Sequence, residues 1–173
     1  EVRTPLNGIL GFTELALGTP LTDEQRYFLD IVKGRSQDLL GILNDILDLS
    51  RIEADKLELT AKPFDLRGLV EGVSRLFAVE TEKKNLELSY EVEPGIPASV
   101  VGDALRFKQV LINLVGNAVK FTDRGRIAIA VASAPGEQPL EGLRLLVTVT
   151  DTGIGIPPDK RQAIFEPFIQ ADG

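Results

Sequence analysis

Asn113, Asn117 and Lys120 lie four and three residues apart, so a helix carries all three on one face. The segment around them, Gln109 to Phe121, is otherwise Val, Leu, Ile, Ala, Gly and Phe. Burying two amides and an ammonium in such a segment is costly unless something polar satisfies them. A metal-bound nucleotide would do so, because amide oxygens suit Mg²⁺ and lysine suits phosphate. The second chemistry-bearing segment is Asp151-Thr152-Gly153-Ile154-Gly155-Ile156. There a carboxylate follows an apolar run and leads into two glycines. Glycines let backbone come close to a flat ligand, while the carboxylate accepts a hydrogen bond from its amino group. Together the two segments read as an ATP site.

The elements that must position these residues follow from periodicity. In residues 1–54 an apolar stripe runs Leu6, Ile9, Leu10, Thr13 and Leu17, then meets the breaker Gly18-Thr19-Pro20. Thr22 with Gln25 three residues on resembles a capping box that opens a second helix. That helix carries Phe28, Val32, Arg35, Leu39, Ile42, Ile46 and Leu49, a seam sustained over about three heptads. A second seam, Leu29, Leu40, Leu43 and Leu47, flanks it. One antiparallel partner does not easily cover both seams, whereas a homodimeric four-helix bundle does. A hairpin packed on the rest of its own chain is the alternative.

From Lys56 the texture changes. Leu57-Glu58-Leu59 reads as a short strand, and Pro63-Phe64-Asp65 leads into a helix over about 66–84. Leu86, Leu88, Tyr90 and Val92 alternate with polar residues up to Pro94-Gly95, marking a half-buried strand. Asp103 caps the helix with the asparagine stripe. Ile127, Ile129 and Val131 pair as a hairpin with Leu145, Val147 and Val149 across the turn at Pro135–Pro139. The fold class is α+β, with helices on one face of a mixed sheet.

Composition is globular, 43% hydrophobic and 26% charged, with no apolar run long enough to span a membrane. Without cysteine or histidine, disulfides, thiolate metal sites and imidazole bases are excluded from these residues. A net charge of −7 argues against an electrostatic nucleic-acid binder. The expected partners include neither nucleic acid nor a direct membrane contact.

Four strings in order resemble the kinase core of sensor histidine kinases of two-component systems, over essentially the whole chain. Glu1-Val2-Arg3-Thr4-Pro5-Leu6-Asn7-Gly8 resembles the segment that follows the phospho-accepting histidine. Asn113–Phe121 resembles the N box, Asp151–Gly155 the G1 box, and Phe165-Glu166-Pro167-Phe168 the F box. The wording Asn7–Gly11 and the end Phe168–Asp172 are most similar to hybrid kinases, which often carry receiver domains further on.

The resemblance implies a dimerisation and phosphotransfer hairpin at 1–54, lacking its histidine. It implies at 55–173 an incomplete α/β sandwich of the histidine kinase, gyrase and chaperone ATPase type. The implied cofactors are ATP and Mg²⁺. Asn117 would ligate the metal, Asn113 would support metal and phosphates, and Lys120 would lie near the phosphates. Asp151 would read the adenine amino group, Gly153 and Gly155 would shape the pocket wall, and Ile156 and Phe168 complete the cofactor-binding positions. Glu1 would act as the base beside the histidine and, with Thr4, position water for dephosphorylating a response-regulator receiver domain.

The implied function is autophosphorylation of a histidine from ATP, then transfer to an aspartate of that receiver. The partners are then a second copy through residues 1–54 and the receiver; the implied location is cytoplasmic, any membrane anchor lying upstream. The alternative is a degenerate dimeric scaffold that binds a receiver without phosphotransfer. The ATPase relatives carry a glutamate where this chain has Asn113, and an amide cannot take a proton near neutral pH. The site is thus expected to hold ATP for transfer rather than to hydrolyse it quickly.

Two ends carry further expectations. Local rules make Thr4 an N-cap with Pro5 at the first helical position; the resemblance instead runs the helix from upstream, bent at Pro5. At the other end the family continues into a lid and a second glycine-rich box. The 173 residues alone are therefore expected to bind ATP weakly or not at all and to be inactive on their own.

Overall fold

Pro20 and the capping box after it set the first structural division. In the computed structural model, which describes residues 2–54, 56–135 and 142–161, helix α1 spans Arg3–Leu17 and helix α2 spans Asp23–Glu53. Thr22 caps α2 reciprocally: its hydroxyl accepts from the Gln25 amide at 3.2 Å while the Gln25 side chain accepts from the Thr22 amide at 3.0 Å. Thr4 is not the cap of α1. Val2 already has helical angles (φ −63°, ψ −28°), and Thr4 and Pro5 lie inside the first turn, where a missing amide costs nothing.

The two seams of α2 separate up to Ile46. Leu29, Leu40 and Leu43 are half-buried, while Phe28, Val32, Leu39, Ile42 and Ile46 stay exposed; beyond them the pattern reverses, with Leu47 exposed and Leu49 half-buried. An ion pair between Lys33 and Glu14 at 3.0 Å ties the two helices together. With 31 residues against 15, α2 runs on well past α1. Residues 1–58 form one compact unit and 59–173 another.

In the second unit the expected strand at 57–59 does not form. Leu59 is exposed, and the Thr60 amide donates instead to the Asp103 carboxylate at 3.0 Å. Two alternating leucines were too short a pattern to outweigh that anchor. Strand β1 is Lys62–Asp65, and it pairs antiparallel with β3, Ser99–Gly102. Asp65 caps α3 (Leu66–Lys83), accepting from the Gly68 amide at 3.0 Å.

Strand β2 (Leu86–Val92) runs parallel to β4 (Gly125–Ser133), and β4 runs antiparallel to β5 (Leu145–Asp151). The order β2-β4-β5 makes a mixed sheet with β5 at its edge among the described residues. Helix α4 (Ala104–Phe121) lies beside α3 on this sheet. Leu66, Val70 and Val73 from α3, Leu111 and Val115 from α4, and Ile127, Ile129 and Val131 from β4 form the core. Each such side chain contributes about 1.5–3 kcal/mol on full burial.

Candidate functional site

Asp103 starts the helix that carries the stripe. Its carboxylate accepts from the Arg106 amide at 3.0 Å and from the Thr60 amide. The bond from Arg106, then that from Thr60, favours the charged form and holds this carboxyl below the usual value of 3.8. The inward residues Leu111, Val115, Ala118 and Val119 bury one side of α4. Asn113, Asn117 and Lys120 consequently face away from the sheet and are exposed. The sheet takes the apolar side of α4, which leaves the two amides and the ammonium open to solvent. The Lys120 ammonium sits 4.6 Å from the centroid of the Phe121 ring.

Asp151 ends β5, and its exposed carboxylate accepts from the Gly153 amide at 2.9 Å, bending the chain out of the sheet. Thr152 fastens the bend to the start of β4: its hydroxyl accepts from the Arg126 amide at 3.0 Å and donates to the Arg124 carbonyl at 3.2 Å. Gly125, at φ +112°, leaves room for that hydroxyl; a Cβ there would overlap Thr152.

The following loop docks on the end of α4. The Ile154 amide donates to the Phe121 carbonyl at 3.3 Å. At Gly153 a Cβ would collide with the same carbonyl and lie 2.9 Å from the Thr122 hydroxyl. Thr122 is fully buried, and its hydroxyl has no partner among the described residues. Gly155, at φ +69°, turns the chain in the left-handed region, and the side chains of Ile154 and Ile156 are exposed.

The structure thereby brings the Asp151–Ile156 loop onto the last turn of the helix that carries Asn113, Asn117 and Lys120. Thr4 lies in the other unit, exposed in the first turn of α1. Glu1 and Phe168 lie outside the described residues. Sequence reasoning missed Thr152, Thr122 and Gly125. The pair Gly125 and Thr152 becomes visible only once β4 and β5 are paired, since Thr152 lies 26 and 28 positions from its bonded partners Arg126 and Arg124. Among the described residues no three acidic groups cluster to cage a metal.

Residues 1–55 match the family model for the His Kinase A (phospho-acceptor) domain. Residues 102–173 match the one for histidine kinase-, DNA gyrase B-, and HSP90-like ATPases. The signal transduction histidine-protein kinase BarA of Escherichia coli (strain K12) is 44% identical over 172 residues, covering 99% of this chain and 18% of BarA. The chain thus spans under a fifth of the length of that curated relative. Full-length ShkA, solved in complex with AMPPNP, is 37% identical with a TM-score of 0.79, over 99% of this chain and 36% of ShkA. ThkA, solved in complex with the response regulator protein TrrA, is 28% identical with a TM-score of 0.58, over 98% of this chain and 48% of that chain.

Proposed function

The chain belongs to the sensor histidine kinase family, and on that premise we propose that its second unit binds ATP with Mg²⁺ for transfer to a histidine. The observation that carries this reading is the docking of the Asp151–Ile156 loop on the end of α4. It joins an exposed carboxylate to an open Asn113, Asn117 and Lys120 face. The residues present fit the group: Asn113 and Asn117 offer exposed amide oxygens, which suit a hard cation, and Lys120 an exposed ammonium, which suits phosphate.

In this assignment Asp151 accepts from the adenine amino group, with Gly153, Gly155 and Ile156 as the wall beside it. Asn117 offers its amide oxygen to Mg²⁺, Asn113 supports metal and phosphates, and Lys120 neutralises phosphate charge. Bound ATP supplies the γ-phosphoryl group, and Mg²⁺ spreads the charge on it. The chain's own work is positioning and charge neutralisation. Asn113 cannot serve as a base for water, so the phosphoryl group is kept for a nitrogen nucleophile. Glu1 would take the imidazole proton as the nitrogen–phosphorus bond forms and the bond from the γ-phosphorus to its bridging oxygen breaks, with ADP as the leaving group, and Thr4 would assist Glu1 in dephosphorylating the partner receiver.

The first unit is proposed to form a homodimer through the open seam Phe28, Val32, Leu39, Ile42 and Ile46, and to dock a response-regulator receiver that takes the phosphoryl group onto an aspartate. ThkA's structure with TrrA supports such a partner. ATP as donor fits a cytoplasmic location; no described helix is long and apolar enough to cross a membrane.

The test is Asn117→Ala in the full-length protein. Autophosphorylation falls by about a hundredfold or more, the scale of losing a transition-state charge contact, while light scattering still reports a dimer. Retained phosphorylation overturns the metal assignment, and loss of the dimer overturns the division of labour between the units.

A further inference from the structure

We infer that Lys84, at the end of α3, is a positioning residue of the nucleotide site. Its ammonium fixes the last turn of α4 and, through that turn, the Asp151–Ile156 loop. The inference rests on the nucleotide role proposed above.

A helix leaves its last carbonyls without partners inside the helix. The residue after α4, Thr122, is extended (φ −111°, ψ 118°), so the left-handed closure that often satisfies those carbonyls is not used here. The Lys84 ammonium does that work from another element. It donates to the Val119 carbonyl at 2.7 Å and to the Lys120 and Thr122 carbonyls at 3.3 Å each. Three contacts match the three donors of an ammonium. A positive charge at this end also suits the helix dipole.

The carbonyl left out of that set is Phe121, the one that receives the Ile154 amide. Four consecutive carbonyls, 119–122, are thus divided between Lys84 and the site loop. Gly153 packs against the same carbonyl with no room for a Cβ, so the loop follows any movement of this turn. Lys84 is held in place by its own surroundings. It is half-buried, it lines a cleft with Glu80, Gly116, Val119 and Lys120, and Asn85 turns the chain immediately after it at φ +54°. An ordinary stabilising lysine would strengthen the whole unit. A positioning lysine acts selectively on the α4 end and the loop.

The experiment uses the full-length protein with Lys84→Met and Lys84→Arg. Without nucleotide, Lys84→Met should speed hydrogen exchange at the Ile154 amide by about tenfold, the scale of a charged hydrogen bond. The Ile127 and Ile129 amides of β4 should keep their rates, and Lys84→Arg should restore most of the Ile154 protection. Affinity for AMPPNP should fall and recover by similar factors. Unchanged Ile154 exchange overturns the inference. So does equal acceleration at Ile127, Ile129 and Ile154, which makes Lys84 a general stabiliser. If Lys84→Met does not fold, Lys84→Gln carries the same comparison against Lys84→Arg. A wild-type protein without affinity for AMPPNP overturns the nucleotide reading, whereas Ile154 exchange still reports whether Lys84 holds the loop.

Discussion

The hairpin and the α/β unit treat their apolar residues in opposite ways. Among the described residues of the hairpin only Leu6, Thr13 and Ser36 are buried, two of them polar, and a row from Phe28 to Ile46 faces solvent. Among the described residues of the α/β unit thirteen apolar side chains close into one core between two helices and a sheet. The first unit is therefore stable to the extent that something covers its seam. The second carries its own core, which leaves one face of α4 free to present polar groups to solvent. On the proposed reading, apolar exposure in one unit is the surface a second copy covers, and polar exposure in the other is the nucleotide face.

The largest break in that comparison is Ile42→Lys. A charge in the open seam should convert the dimer to a monomer at micromolar concentration, read by light scattering, with no change in the melting of the α/β unit. A dimer that survives the change would move the interface elsewhere. Leu111→Ala probes the opposite unit. It should cost about 2–5 kcal/mol in denaturant unfolding of the α/β unit, as buried leucine truncations do, and leave dimerisation alone. A cost below about 1 kcal/mol would mean that this core is not the one described.

The smallest effect is at Asp103. Hydrogen bonds from the Arg106 and Thr60 amides lower its folded pKa below 3.8, so the stability they add is present above the ordinary carboxylate range. It is lost as the pH falls through the lowered folded value. Asp103→Asn should therefore melt below wild type near neutral pH, and the gap should close as the solution becomes strongly acidic. A gap that stays constant into acid would show that the carboxylate's charge is not what matters.

Much of this was legible in the chain itself. Pro20, the Thr22–Gln25 box and the two leucine-rich seams mark the hairpin because each is a local rule with a local cause. Asp65 and Asp103 mark the starts of α3 and α4 in the same way. The spacing of Asn113, Asn117 and Lys120 placed them on one face. It did not say which face, and the exposed stripe answers that. What escaped the sequence depends on pairing at a distance. Leu57 and Leu59 alternate like a strand, yet the strand forms at Lys62–Asp65, where Ser99–Gly102 is available as a partner. Lys84 looks like one more surface lysine until the fold brings the Val119 carbonyl, 35 residues away, within 2.7 Å.

The proposed site saves a phosphoryl group for a nitrogen instead of giving it to water. Supplying the full-length protein with ATP labelled at the γ-phosphate shows where that group goes. Label should appear on the protein in an acid-labile, base-stable bond, with free phosphate accumulating only slowly. Rapid release of free phosphate with no label on the protein would contradict it.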